Sequence, residues 1–351
     1  MFEDSKITKE SLDYFTKVFG QYLSPVGLMK VITINSARCL YPRPPLIQVA
    51  PSREFKSKLT EKAWRFFNRD RYLDLSGDET VHGLKNAYGT PFPQSKKFET
   101  LVILNGKCLC VDEGNLLLRA MSGKGKIRWL SGFSQLYSKG RYDYVSELGS
   151  FRIVGRITLI INITTDLYAK SENVLRDTTL GQRSLTVFTW LKDSEKVHVR
   201  ENFRRFKGLK PKITLSEPYD RKIKNLGEYR GELTSLSKDY AVLGVRNLSE
   251  TLEVTEGMAT QNARLNQRNR LCKDDMDVVR MLRGYTINPR RRDFVRVVGF
   301  LKEGRSYSDI IHLLRRPRSY YSTISRWKKI AQNRGLLDQG VERPEWWKEL
   351  S

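Results

Sequence analysis

The chain has 351 residues, 39% of them apolar and 11% aromatic, enough to bury a full core and, at roughly 150 residues per domain, to build two or three. Its 63 Lys+Arg against 39 Asp+Glu leave a formal charge of +24, a field that favours phosphate polymers and makes their binding salt-dependent; a merely basic solvated surface is the alternative. No run of about 18 apolar residues occurs, and the acidic start Met1-Phe2-Glu3-Asp4 lacks an apolar signal segment, so a membrane or secreted protein is not expected.

Apolar positions Leu12, Tyr14, Phe15, Val18, Phe19, Tyr22 and Leu23 recur near the helical period and predict short amphipathic helices over residues 1–41. The elbow Tyr41-Pro42-Arg43-Pro44-Pro45 closes that segment. From residue 42 to 191 apolar strands alternate with helical stretches, which predicts an α/β domain with a largely parallel sheet. Its strand candidates are Leu46–Ala50, Tyr72–Leu75, Lys107–Val111, Ile157–Ile163 and Ser184–Thr189. Residues 192–275 are polar and crowded with Arg200, Arg204, Arg205, Lys207, Lys210, Lys212, Arg221, Lys222 and Lys224, and read as a basic helical lid or bridging segment. A compact helical domain is expected over 276–345. Of the four cysteines, Cys108 and Cys110 share a strand face; no second pair or nearby His completes a zinc site, so they read as core packing.

Four stretches carry chemistry. Ala50-Pro51-Ser52-Arg53-Glu54-Phe55-Lys56-Ser57 follows an apolar strand, opens a helical stretch, and matches G-x-x-x-x-G-K-[ST] in register, with Ala50 and Phe55 where glycines are expected. Such a loop wraps phosphate with backbone N–H groups while the lysine meets its charge; a Lys-Ser pair at a helix start is otherwise an ordinary turn. Phe55 is the larger departure, because Gly before the lysine often takes a conformation that a side chain resists.

The apolar run Cys108-Leu109-Cys110-Val111 ends in Asp112-Glu113. Asp112 and Ser57 are the candidate Mg²⁺ ligands and Glu113 the candidate base for the attacking water, with an acidic helix cap as the plainer reading. On the strand-like run Arg156–Thr165, Asn162 is the candidate for orienting that water, or simply a strand-end cap. Arg183, before the last strand, is a candidate for neutralising transition-state charge in a neighbouring subunit; Arg176 competes for that role, and an ordinary surface arginine is the alternative.

With these residues in place, residues 46–191 resemble the core of AAA+-type P-loop ATPases, especially the divergent ones of plasmid, viral and integrated-element replication proteins. The likeness rests on Ala50–Ser57 as phosphate loop, Val111-Asp112-Glu113 as Mg²⁺ and base motif, Thr158–Thr165 as sensor strand and Gly181-Gln182-Arg183 before the closing strand. The segment from Trp129 to Tyr142 also resembles the helix and basic loop that precede the sensor strand there. The resemblance implies a three-layer α/β P-loop NTPase core, ATP and Mg²⁺ as cofactors, and a ring or filament of identical subunits.

At the other end, Phe294, Val297, Val298 and Leu301 predict a helix; Tyr307–Leu314 predicts a second; after Arg315-Arg316-Pro317-Arg318-Ser319, Tyr320–Asn333 predicts a third. This pattern resembles winged helix-turn-helix DNA-binding domains, with Arg318, Tyr320, Ser322, Thr323, Ser325, Arg326, Lys328 and Lys329 as candidates for groove and phosphate contacts. Residues 276–351 carry 17 Lys+Arg against 8 Asp+Glu. The expectation is a cytoplasmic, nucleoid-associated, ATP-dependent protein on double-stranded DNA, acting in replication initiation or as a helicase, with single-stranded DNA in a central channel as a further partner. The rivals are a DNA-binding regulator with an inactive loop and a segregation or transposition-helper ATPase.

Overall fold

β-Branched and apolar runs too short for helices pair into one wholly parallel sheet of five strands, as seen in a computed structural model. The structure describes residues 2–39, 42–67, 72–76, 81–112, 125–146, 149–176, 178–189, 191, 193–215, 219–244, 248–286, 292–333 and 337. The chain runs α1 (Lys6–Phe19), α2 (Ser24–Ser36), β1 (Leu46–Ala50), α3 (Lys56–Trp64), β2 (Tyr72–Ser76), α4 (Val81–Tyr88), β3 (Gly89–Pro91), β4 (Thr100–Ile103) and β5 (Lys107–Asp112). It continues with α5 (Gly125–Lys139), β6 (Arg141–Ser146), β7 (Gly149–Val154), β8 (Ile157–Thr164), α6 (Thr165–Arg176), α7 (Thr179–Arg183), β9 (Leu185–Phe188), α8 (Asp193–Arg205), α9 (Arg230–Gly244), α10 (Leu248–Leu265) and α11 (Lys273–Arg283).

The strand order across the large sheet is β2-β5-β8-β1-β9. Its side chains alternate between two cores, as a pleat requires. Leu46, Cys108, Cys110, Ile160, Leu185 and Val187 face the helical layer of α1, α2, α3 and α9 to α11. Ile47, Val49, Leu109, Val111, Leu159 and Ile161 face α5 to α7. That second core also takes Val102, Phe151 and Ile153 from a mixed sheet of order β3-β4-β7-β6, which the strand candidates did not include. Cys108 and Cys110 are buried in the first core, where burial pushes the Cys108 thiol well above its ordinary range.

α1 meets the amphipathic expectation, burying Tyr14, Phe15, Val18 and Phe19 while Lys6, Lys9, Asp13 and Lys17 are exposed; α2 departs from it. All thirteen residues of α2 are buried, because it lies between α1 and the sheet; a helix apolar on all sides belongs in a core. The turn after α1 needs Gly20: its φ is +76°, and a Cβ there would meet the His198 ring at 3.3 Å. In Gly181 the glycine serves packing, since a Cβ would fall 1.7 Å from the Leu175 carbonyl oxygen.

Two compact units divide the chain at Thr286/Ile287, so α11 lies in the first with α2 and α10. The second unit comprises α12 (Arg292–Lys302), α13 (Tyr307–Leu313), a short 3-10 turn (Arg318–Tyr320) and α14 (Tyr321–Asn333) around Val297, Ile310, Ile311, Leu314 and Ile324. A reciprocal cap starts α13: the Asp309 N–H donates to Ser306 Oγ at 3.1 Å and the Ser306 N–H to Asp309 Oδ2 at 3.2 Å. Among the described residues no helix is long and apolar enough to cross a membrane.

Candidate functional site

β1 and β8 are neighbours, yet their following helices leave by opposite faces: α3 contributes Leu59 and Ala63 to one core, α6 contributes Leu167 and Leu175 to the other. Such a switch opens a crevice beyond the carboxyl ends of the strands, the usual place for a ligand in an open parallel sheet. The loop 51–55 stands at this edge.

The loop lacks glycine but has the backbone that glycine favours. Arg53 has φ 65° and Phe55 φ 55°, both left-handed, a conformation costing a non-glycine residue about 1–2 kcal/mol. The expected resistance of Phe55 is overcome by packing. Its ring lies 6.0 Å from Phe19 and 5.9 Å from Phe203, centroid to centroid, so neighbouring aromatics hold the residue that caps α3. Successive N–H groups in such a turn make an anion-binding nest, and the first turn of α3 adds N–H groups with no intrahelical acceptor. Lys56, at the start of α3, is buried and donates to the Ala50 and Pro51 carbonyls at 3.2 and 2.8 Å. Ser52, Arg53 and Ser57 are exposed. Glu54 is buried with Lys196 of α8 at 3.2 Å; burial pushes its carboxyl up and the ammonium opposes the shift.

Asp112 ends β5, two strands from the loop, and is half-buried. Glu113 lies outside the described residues. Asn162 lies inside β8, as the strand candidate Ile157–Ile163 places it, paired in register with Gln48 and wholly buried, so it does not cap the strand's end. Its amide Nδ2 donates to Asp112 Oδ1 at 3.3 Å and to Thr60 Oγ1 at 3.1 Å. The side chain level with Ala50 at the strand edge is Thr164, whose hydroxyl accepts from the Leu167 N–H at 3.4 Å and caps α6.

The sequence reading missed Lys30. Wholly buried in α2, it donates to Thr60 Oγ1 at 2.6 Å, Asn162 Oδ1 at 2.8 Å and the Lys56 carbonyl at 3.4 Å. All three ammonium protons thus have acceptors, which a charge in a core requires. Burial nevertheless lowers its pKa from 10.5 to about 7, against the attraction of nearby acidic groups that include Asp112. One signal was present: Lys30 is the only charge in the otherwise apolar and small-residue sequence Ser24–Ser36.

Arg183 is not brought to the loop. It ends α7 just before β9, whose first residue pairs with Leu46, so it stands at the amino edge of the sheet, opposite Ala50. There its guanidinium lies 3.4 Å from Glu253 of α10.

In the second unit, Ile324 is buried while Arg318, Ser322, Arg326 and Lys329 are exposed and Tyr320, Thr323, Ser325 and Lys328 half-buried. Asp293 of α12 accepts from Arg316 at 2.7 Å and from the Tyr320 hydroxyl at 3.0 Å, fixing the turn between α13 and α14. Arg334, Gly335 and Leu336, which follow the last helix in sequence, lie outside the described residues. Among the described residues no group of three or more His, Cys, Asp or Glu side chains could hold a metal. Comparison with protein-family models and with curated proteins finds no match to this chain.

Proposed function

We propose that this protein binds and hydrolyses ATP at the loop 51–57 and couples that cycle to DNA, in replication initiation or as a helicase-type remodeller. The observation that carries this reading is the loop itself: two left-handed non-glycine residues lead into a helix whose first lysine sits against the loop's own carbonyls, at the switch edge of a parallel sheet. Strained backbone that surrounding packing holds in place clusters at ligand-binding sites.

The residues present fit a nucleotide with its metal. The loop N–H groups and Lys56 would meet phosphate oxygens, and Ser57 and Asp112 would supply hard oxygen ligands. Mg²⁺, when bound, neutralises charge on the transferring phosphoryl group. Asp112 is oriented by Asn162, which is itself fixed by Lys30 and Thr60, so Asn162 acts as a positioning residue. Glu113, next in sequence, is the candidate base for water. Arg183, at the far edge, could assist only the site of a neighbouring subunit.

The DNA end of the reading rests on α13, its turn and α14, an arrangement compatible with a helix-turn-helix, with Arg326 and Lys329 exposed on the last helix. One observation favours a second reading, a DNA-binding regulator without turnover: phosphate must displace two carbonyls from Lys56 before the lysine can serve it. Turnover with and without duplex DNA, for wild type beside Lys56→Ala and Glu113→Gln, separates the two. DNA-stimulated hydrolysis lost in both variants supports the ATPase; no hydrolysis in wild type, with duplex binding intact, leaves the regulator.

A further inference from the structure

Residues 200–212 hold six basic residues and one acidic residue in thirteen positions, against 63 and 39 in the 351-residue chain. Arg200, Arg204, Arg205, Lys207, Lys210 and Lys212 are all exposed. No carboxylate among the described residues pairs with any of them; Arg205 lies instead over the Phe206 ring at 5.2 Å. Arg200 and Arg204 are one turn apart on the same face of α8, where like charges repel and weaken a helix.

The surface is preformed. Val199 is buried beneath it, and Phe203 stacks on Phe19 with centroids 5.5 Å apart. The segment beyond α8 is tied down by the Tyr14 hydroxyl donating to the Leu209 carbonyl at 3.2 Å, by Lys62 donating to the Lys207 carbonyl, and by the Leu215 N–H donating to the Phe66 carbonyl at 2.6 Å. A backbone already held in place spares the cost of ordering the segment when its cations meet a polymer of regularly spaced phosphates.

The inner side of the same helix touches the loop. Lys196 pairs with Glu54 and Phe203 packs on Phe55, the two residues immediately before Lys56. We infer that the exposed face of α8 and residues 207–212 is a nucleic-acid backbone contact belonging to the first unit, and that α8 transmits its occupancy to the loop through Lys196 and Phe203. The contact stands on its own; the transmission rests on the nucleotide reading of the loop.

The test uses the full chain and measures affinity for single-stranded and duplex oligonucleotides of fixed length across a salt series. The combined variant Arg200→Ala, Arg204→Ala, Arg205→Ala is expected to flatten the slope of log K against log salt by about 2–3 on at least one of the two, since each phosphate contact contributes about 0.7–0.9. The matching triple substitution to Lys is expected to restore it, with thermal melting showing both variants folded. An unchanged slope on both oligonucleotides overturns the contact, including the case in which the variant instead loses binding to phosphatidylserine vesicles. A fluorescent ATP analogue then reads the transmission: oligonucleotide is expected to shift its affinity in wild type and not in the Ala variant. An analogue that binds with the same affinity with and without oligonucleotide overturns the transmission. No analogue binding at all refutes the nucleotide reading, and the transmission with it, while the salt slopes still decide the contact.

Discussion

The Lys30 ammonium lies 2.8 Å from Asn162 Oδ1, joining a helix that precedes the sheet to the strand at its centre. Through Asn162 Nδ2 the chain of bonds reaches Asp112, and through Thr60 it reaches the first turn of α3. The N-terminal helices thereby fix the polar interior beneath the loop.

Lys30 should make stability depend on pH. Its folded pKa of about 7 lies below the ordinary 10.5, so between those values the unfolded chain binds more protons than the folded one and stability rises with pH. Denaturant unfolding at pH 7 and pH 9.5 should show wild type gaining on the order of 3 kcal/mol relative to Lys30→Met, which lacks the titration. Parallel pH profiles for the two proteins would refute this.

Asn162→Ala removes a partner from both Lys30 and Asp112 while leaving the chain its sheet pairing. A loss of about 2–4 kcal/mol is expected, because a buried cation is left short of acceptors. Asn162→Asp supplies a carboxylate instead and should abolish the pH-dependent gain between 7 and 9.5. Equal stability of wild type and Asn162→Ala would mean that the network is not formed.

The two left-handed loop residues should respond oppositely to glycine. Arg53 is exposed, so Arg53→Gly relieves strain and loses no packing; an increase of about 0.5 kcal/mol is expected in chemical unfolding. Phe55→Gly relieves the same strain but gives up the contacts with Phe19 and Phe203, and a net loss of about 1–2 kcal/mol is expected. A gain in both would show that the aromatic cluster contributes nothing.

In the second unit, charge and core should separate. Arg326→Ala with Lys329→Ala is expected to weaken duplex binding and flatten its salt slope by up to about 2, leaving thermal melting unchanged. Ile324→Ala, in the small core, should cost about 2–4 kcal/mol and melt this unit. Duplex affinity indifferent to the double variant would move the DNA contact elsewhere.

Features that depend on neighbours along the chain are legible without the fold. Leu46–Ala50 and Ile157–Thr164 are legible as strands because β-branched apolar runs declare themselves locally, and so does the strand-loop-helix passage into Lys56. The three C-terminal helices were legible by the same periodicity. Tertiary structure decided the rest. That Lys30 supplies Asn162 with its partner from 132 residues away, and that Arg183 meets Glu253 at the amino edge of the sheet, are consequences of tertiary packing, which no local pattern encodes. Phe55 shows why: judged by its neighbours in sequence it is the wrong residue for a left-handed turn, and only Phe19 and Phe203, brought in by α1 and α8, supply the packing that holds it there.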